Sequence, residues 1–121
     1  MSRLQATIDR ILGGQVSGPE LLAFIASHPS PLVRANAIGQ LPRAGDLPPT
    51  QIAAALEIAA TDPAHRFRLM GIITVGHLAV AALFRVSGMA ERAAALVSGW
   101  PEPDRQDLVW FLRSEGISIE P

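Results

Sequence analysis

Two stretches of this chain resemble each other, and they decide the fold that the sequence predicts. The first is SHPSPLVRANAIGQL, residues 27–41, and the second is ATDPAHRFRLMGIITVG, residues 60–76. Each combines a Pro-containing turn, an apolar residue followed by Arg, and a small residue one helical turn later. At an offset of 34 residues the aligned pairs are Pro29 with Pro63, Val33 with Phe67, Arg34 with Arg68, Ala37 with Gly71, Ile38 with Ile72, and Leu41 with Val75. A period of this size is typical of stacked helical hairpins.

The rest of the chain also has a helical pattern. Gly and Pro divide it into segments of helical length, and most segments carry apolar residues at i, i+3 and i+4. Polar starts such as Ser17 with Glu20, Ser30 before Pro31, and Asp62 before Pro63 are typical of helix N-caps. Sustained alternation of apolar and polar residues is missing. The sequence therefore predicts an all-α fold of about seven short helices.

Composition limits the class of protein. The chain has 121 residues, of which 49% are apolar, and this predicts a single domain, 1–121, with one core. With no Cys, the chain cannot form a disulfide or a thiolate metal site. Its 10 basic residues are all Arg, they are interleaved with acids, and the net charge is −1. No basic stripe of the kind that nucleic-acid binding needs is visible in the sequence.

Neither a secretion signal nor a membrane span is expected. In the first residues, MSRLQATIDRILGG, Asp9 and Arg10 interrupt any apolar region of a signal peptide, so we expect a cytoplasmic protein. The apolar run LMGIITVGHLAVAALF, residues 69–84, is shorter than the roughly 20 residues that a spanning helix needs. Gly76-His77 interrupts this run, and we interpret it as two buried helices that meet at a turn there.

The first stretch resembles the second helix of a HEAT repeat. In that family an Asp-Pro turn precedes Val-Arg, then Ala, then Leu; Asp62-Pro63, Val33-Arg34, Ala37 and Leu41 match this pattern. A third copy, WPEPDRQDLVWFLRSEGI, keeps the turn but has Gln106-Asp107 where Val-Arg is usual. The resemblance implies a short right-handed α-solenoid of about three HEAT-like hairpins, built from 18–41, 49–75 and 89–116. It also implies that Arg34 and Arg68 are structural and bond acids or carbonyls between neighbouring repeats.

The resemblance also suggests a binding surface. In HEAT-like solenoids the second helices line the concave face, and if Val33, Ala37 and Leu41 point inward, a second row of positions points outward. That row is mostly apolar with Arg at its edge, a composition typical of protein–protein hot spots. The predicted partner-binding residues are Leu32, Arg66, Leu69, Ile73, Arg105, Leu108 and Leu112. Two alternatives are that a helix over residues 77–86 covers this ridge and that the ridge forms a homodimer.

Catalytic and metal chemistry find little support. The chain contains no nucleophile elbow, phosphate loop or zinc-ligand spacing, so no catalytic residue, metal site or cofactor is predicted. We expect His28 and His65 to be solvated at turns. Trp100 is predicted to plug the terminal core. Glu102, Asp104 and Asp107 are interpreted as acids that favour a helix N-terminus rather than as an acid–base cluster.

The leading hypothesis is a non-enzymatic protein-interaction module. It would be an adaptor or an inhibitor, for example an immunity protein against a bacterial toxin. One alternative is a HEAT-like protein that binds nucleic acid through Arg34, Arg66, Arg68 and Arg105. Another is a HEAT-like accessory subunit of an enzyme.

Overall fold

The computed structural model describes residues 2–66, 68–71 and 73–119, and it confirms the all-α class. Within these ranges there are seven α-helices, as predicted, together with two short 3-10 helices and one small antiparallel hairpin. The α-helices are α1 (Arg3–Leu12), α2 (Gly18–Ser27), α3 (Pro31–Gln40), α4 (Pro49–Thr61), α5 (Val75–Phe84), α6 (Ala90–Ser98) and α7 (Asp104–Ser114). The 3-10 helices are Leu41–Arg43 and Pro63–His65, and the hairpin pairs β1 (Arg68–Met70) with β2 (Ile73–Thr74).

Local capping explains where the early helices begin. The Ser17 hydroxyl accepts a hydrogen bond from the Glu20 amide at the start of α2, and the Ser30 hydroxyl accepts one from the Val33 amide at the start of α3. A Pro lies in the first turn of both helices, where its missing N–H has no helical partner to lose. Asp62 was expected to cap a helix; its carboxylate instead accepts from the Ala64 amide and caps the 3-10 helix.

Consecutive helices pack in pairs, and α3 and α5 are the two helices that connect the pairs. α2 contacts α3, α4 contacts α5, and α6 contacts α7. In addition α3 contacts α1 and α5, and α5 contacts α6 and α7. Helix α5 is apolar on all sides and has buried residues throughout, and this pattern is typical of a central helix. The largest fully buried side chains include Ile11, Leu21, Val33, Ile38, Leu41, Leu56, Val80, Leu83, Leu108 and Leu112.

The apolar run of residues 69–84 is therefore part hairpin and part core helix. Its turn lies at Gly71, which has a φ of +53°. The prediction of a turn at Gly76-His77 is wrong, because both residues belong to the first turn of α5. No helix in the described part of the chain has the length and apolar character needed to cross a bilayer.

The second aligned stretch does not form the helix that the alignment predicts. Ala37 lies in α3, whereas its counterpart Gly71 lies in the hairpin turn. The helix that packs against α4 is α5, not the segment that directly follows Asp62-Pro63. The aligned residues Phe67 and Ile72, and the side chain of Arg68, lie outside the described residues. A local reason is that Gly71 takes a left-handed φ of +53°, and the β-branched Ile73 and Thr74 after it favour extended backbone.

Arg34 connects the two aligned stretches. Its Nη1 donates to the His28 carbonyl at 2.6 Å, and its Nε donates to Nε2 of His65 at 3.2 Å. The resemblance implies a bond from Arg34 to an acid or a carbonyl of a neighbouring repeat. The carbonyl that Arg34 bonds belongs to its own predicted hairpin, 18–41, and its partner outside that hairpin is the imidazole of His65. The guanidinium thereby ties the turn before α3 to the 3-10 helix after α4.

Candidate functional site

The predicted ridge of partner-binding residues is not one surface in the structure. Leu108 and Leu112 are fully buried, so the prediction that they contact a partner is wrong. They lie with Phe111 on the stripe that α7 buries, because residues at i, i+3 and i+4 share a helix face. The outward face of α7 is therefore rotated from the face that the alignment predicts.

The other predicted ridge residues are scattered over different elements. Leu32 is 50% exposed on α3, and Arg66 is exposed just after the second 3-10 helix. Leu69 and Ile73 are half-buried in the hairpin rather than on a helix. Arg105 is half-buried at the start of α7 and pairs with Glu102. Only Arg105 lines the main groove of the molecule.

That groove runs between α6 and α7, and we call it the α6–α7 groove. Its volume is about 810 Å³. Trp110, on the outward face of α7, is 58% exposed in it. Other apolar lining residues are Phe84, Ala90, Ala94, Val97, Val109 and Ile119. The charged lining residues are Glu91, Glu102, Arg105 and Arg113.

The sequence shapes this groove through small residues and a chain reversal. Ala90 and Ala94 on α6 leave room opposite the larger side chains of α7. After α7, Gly116 has a φ of +81°, a conformation that glycine adopts without strain, and the chain folds back. The Ile117 amide then donates to the Leu112 carbonyl at 2.9 Å. The segment 117–119 is thereby brought to the groove.

A second cavity lies where α4 ends and where α5 and α7 begin; we call it the His77 cavity. Its volume is about 350 Å³, and it shares no lining residue with the α6–α7 groove. The cavity combines imidazole, indole, carboxylate and guanidinium groups. Its lining residues with polar or aromatic side chains are Thr61, His65, Arg66, Thr74, His77, Trp100, Asp104 and Asp107.

His77 is positioned by a reciprocal cap at the start of α5. The Thr74 hydroxyl accepts from the His77 amide at 3.2 Å, and Nδ1 of His77 accepts from the Thr74 amide at 3.1 Å. The ring packs against the rings of Phe111 and Trp100, with centroid distances of 5.9 and 5.6 Å. Burial lowers the pKa of His77 below 6.5, and the charges of Asp107 and Asp104 oppose this shift.

His65 has a structural role. The prediction that it is solvated is wrong, because the side chain is only 2% exposed. Its Nδ1 lies 2.8 Å from the Ala59 carbonyl, and its Nε2 accepts from Arg34. These two bonds assign the proton to Nδ1 and occupy both ring nitrogens. His28 is half-buried rather than solvated, and its Nδ1 accepts from the Ser30 amide at 3.0 Å.

Trp100, Asp104 and Asp107 lie where the sequence predicts. Trp100 is half-buried and packs against the core, as expected, although it also walls the His77 cavity. Asp104 and Asp107 lie in the first turn of α7, where acids favour the helix dipole. The described residues contain no cluster of three or more His, Cys, Asp or Glu side chains arranged to hold a metal ion.

Sequence reasoning missed the His77 cavity, although one signal was present. Thr74 and His77 have the N-cap to N3 spacing of a capping box, with His in the place where Glu or Gln is usual. Recognising that spacing would have placed the start of α5 at Val75. The meeting of His77 with Trp100 and the α7 acids had no sequence signal, since these residues lie on separate segments.

Comparison with known proteins adds no relative: no family model, no curated protein and no solved structure matches the chain. The HEAT-like resemblance therefore stays a prediction.

Proposed function

We propose that this protein is a non-enzymatic protein-interaction module, an adaptor or an inhibitor, that holds an apolar segment of a partner protein in the α6–α7 groove. The observation that carries the proposal is Trp110, whose large indole is 58% exposed beside apolar walls. A Trp in such a groove is typical of an interaction hot spot, because covering it removes a large apolar area from water.

The chain's own tail supports an apolar segment as the occupant. Ile119 lines the groove, and its carbonyl accepts a bond from Arg113 at 3.4 Å. An apolar side chain and a backbone carbonyl are therefore both accommodated beside Trp110. Arg105 is paired with Glu102 and Arg113 bonds the Ile119 carbonyl, so both of these cationic side chains of the groove are engaged within the chain.

The packing of helix pairs supports a modified version of the solenoid prediction. With α2–α3, α4–α5 and α6–α7 as the stacked pairs, α3, α5 and α7 are the second helices, and α3 contacts α5, which contacts α7. In this interpretation the second unit ends with α5, and the spacing of the units is uneven. The first helices begin at residues 18, 49 and 90, and the second helices begin at residues 31, 75 and 104. Its partner ridge is the outward face of α7, represented by Val109, Trp110 and Arg113. The handedness and the HEAT relationship remain part of the proposal.

The nucleic-acid alternative receives no comparable support. Arg34 is bonded to His28 and His65, and Arg105 is paired with Glu102. The four arginines proposed for that role include two that are engaged within the chain. No observation favours an accessory enzyme subunit.

A peptide-selection experiment tests the proposed groove. Peptides selected from a random display library against the purified protein should be rich in apolar residues and should change the fluorescence of Trp110 in a Trp100→Phe background. Trp110→Ala should weaken their binding by about tenfold or more. Ile58→Ala is the matched control, because Ile58 is 71% exposed on α4 and does not line the groove.

Two outcomes would contradict the proposal. Peptides that bind Trp110→Ala as tightly as the parent would place the interaction elsewhere. Light scattering that shows a dimer, and a monomer for Trp110→Ala, would show that the groove is occupied by a second copy of the chain.

A further inference from the structure

The His77 cavity contains a side-chain hydrogen-bond donor that has no partner in the described part of the chain. The side chain of His77 is 3% exposed, and Nδ1 is committed as the acceptor for the Thr74 amide. The neutral ring must then carry its proton on Nε2. Among the described residues Nε2 has no hydrogen-bond partner, and His77 lines the cavity. A donor that faces a cavity without a protein partner is a position where a ligand acceptor can bond in place of water.

This nitrogen is open to the cavity rather than sealed in the core. In the described part of the chain, the only fully enclosed side-chain oxygen or nitrogen without a hydrogen bond is Oε1 of Glu57, which ion-pairs with Arg92. The Nε2–H of His77 is thus accessible to a molecule in the cavity. The ligand atom it requires is an acceptor, such as a carbonyl oxygen.

The charged side chains around the cavity favour a second feature of the ligand, a cationic group. Asp104 and Asp107 project from the first turn of α7, and among the described lining residues Arg66, which is exposed, supplies the guanidinium. Two carboxylates against one guanidinium favour a cationic group. Trp100 adds an indole wall, which attracts an ammonium group through its ring face.

Gly76 keeps the cavity open next to that wall. A Cβ at this position would lie 3.2 Å from the Ala60 carbonyl oxygen and 3.5 Å from the edge of the Trp100 ring. The missing side chain lets the start of α5 approach the end of α4. At about 350 Å³, the cavity falls at the lower end of small-ligand pockets, so it suits a compact molecule.

We propose that the His77 cavity binds a small ligand in which an ammonium group stands next to a neutral carbonyl. The carbonyl oxygen accepts from Nε2–H of His77, and the ammonium lies between the carboxylates of Asp104 and Asp107. A free carboxylate in place of the neutral carbonyl is repelled by the two aspartates. This chemistry is found in amino-acid amides and at the N-terminus of a peptide, and it is separate from the partner segment proposed for the α6–α7 groove.

NMR titration of the labelled full chain at about pH 7.5, where an α-ammonium is still largely charged, tests the proposal. Leucinamide should shift the His77 imidazole and Trp100 indole signals and leave the Trp110 indole unchanged. Leucine and N-acetyl-leucinamide, which lack the neutral carbonyl and the ammonium respectively, should bind at least about tenfold more weakly. A peptide with N-terminal Leu that binds more tightly than leucinamide identifies a peptide N-terminus as the source, and equal affinity identifies a free amide.

Two variants separate the site from the fold. His77→Asn places its side-chain oxygen where Nδ1 accepts from the Thr74 amide, but its amide group is too short to reach the position of the Nε2–H donor. Asp107→Asn keeps the shape of the side chain and removes its charge. Each should weaken leucinamide binding by about tenfold, whereas Glu102→Gln, outside the cavity, should not change it.

The proposal is overturned by any of three results. One is the lack of a His77 shift with leucinamide up to about 50 mM, well above a millimolar affinity. Another is equal binding of N-acetyl-leucinamide. The third is unchanged affinity in a folded His77→Asn or Asp107→Asn variant; if one of them does not fold, the other decides.

Discussion

Residues 27–41 and 60–76 share a sequence pattern, yet the first contains helix α3 and the second contains a 3-10 helix and a β-hairpin. Both have a Pro-containing turn followed by a basic residue and a small residue. The difference lies in what surrounds each stretch. Helix α3 is packed by α1, α2 and α5, and its residues Val33, Ala37 and Ile38 are fully buried.

The second stretch does not occupy a comparable core position, because the helix that packs against α4 is α5. Its role is to connect those two helices, and Gly71 followed by Ile73 and Thr74 suits a tight hairpin. A shared spacing of residue types therefore does not guarantee a shared structure. Burial in the core and local backbone preference decide between helix and hairpin.

The largest expected effect is on the free energy of unfolding, and it compares what each stretch contributes to the core. Ile38→Ala should lower the free energy of unfolding by about 3 kcal/mol, because it leaves a cavity in fully buried α3. Ile73→Ala in the hairpin should cost only about 1 kcal/mol, since its side chain is half-buried. Urea denaturation of both variants measures the difference. Equal losses would show that the hairpin contributes to the core as much as the helix does.

A second prediction concerns the link between the stretches. Arg34→Ala removes the donor to the His28 carbonyl and leaves Nε2 of His65 without a partner, so we expect a loss of about 2 kcal/mol in the free energy of unfolding. Arg34→Lys should recover part of this loss at most, because an ammonium does not reproduce the planar fork of Arg.

Arg43→Ala is the control for this link, because Arg43 is an exposed residue at the end of the first 3-10 helix. It should change the free energy of unfolding by less than about 0.5 kcal/mol. Urea denaturation again provides the measurement. A loss for Arg34→Ala no greater than that of Arg43→Ala would show that the observed bonds do not stabilise the junction.

A third prediction uses two glycines that should respond with opposite signs. Gly71→Ala places a Cβ on a residue with a φ of +53° and should destabilise the protein by about 1 kcal/mol. Gly39→Ala lies inside α3, where a Cβ would meet nothing within 4 Å, and should stabilise it by about 0.5–1 kcal/mol. Thermal unfolding monitored by circular dichroism tests both. A stabilising effect of Gly71→Ala would show that residue 71 does not have a positive φ in the folded protein.

The smallest expected effect is a pH dependence at Thr74–His77, where the second stretch becomes helical again. The pKa of His77 is lowered on folding, so the unfolded chain binds its proton more tightly. This contribution therefore favours folding above pH 6.5 and is lost as the pH falls through 6.5 towards the lowered value. His77→Gln should remove it, so the stability difference between parent and variant should change between about pH 7.5 and 5.

Parent and variant differ only at position 77, so subtracting the two denaturation series isolates the contribution of His77. A stability difference that stays constant with pH would show that the pKa of His77 is the same in the folded and unfolded chain. A difference that changes in favour of the parent on acidification would give the opposite sign, with a pKa raised by Asp104 and Asp107.

Much of the fold could be predicted from local patterns, and much of the candidate site could not. The number of helices and the starts of α2 and α3 follow from Gly and Pro breaks and from Ser17 and Ser30. The alignment that predicts the inward face of α7 rests on a stretch with a different structure. It therefore places Leu108 and Leu112 on the exposed face, whereas both side chains are buried in the core. Trp110 was therefore not included in the predicted ridge.

By itself, the sequence determined the all-α class and the local starts of helices, because a cap or a Pro acts within one helical turn of its own position. Only the tertiary structure decided that Arg68–Met70 pairs with Ile73–Thr74, that His65 and His77 are buried, and that Trp110 faces a groove. Those outcomes depend on which helices pack together, and packing joins side chains that lie tens of residues apart. The pattern of residues within a single stretch does not indicate which distant residues will pack against it.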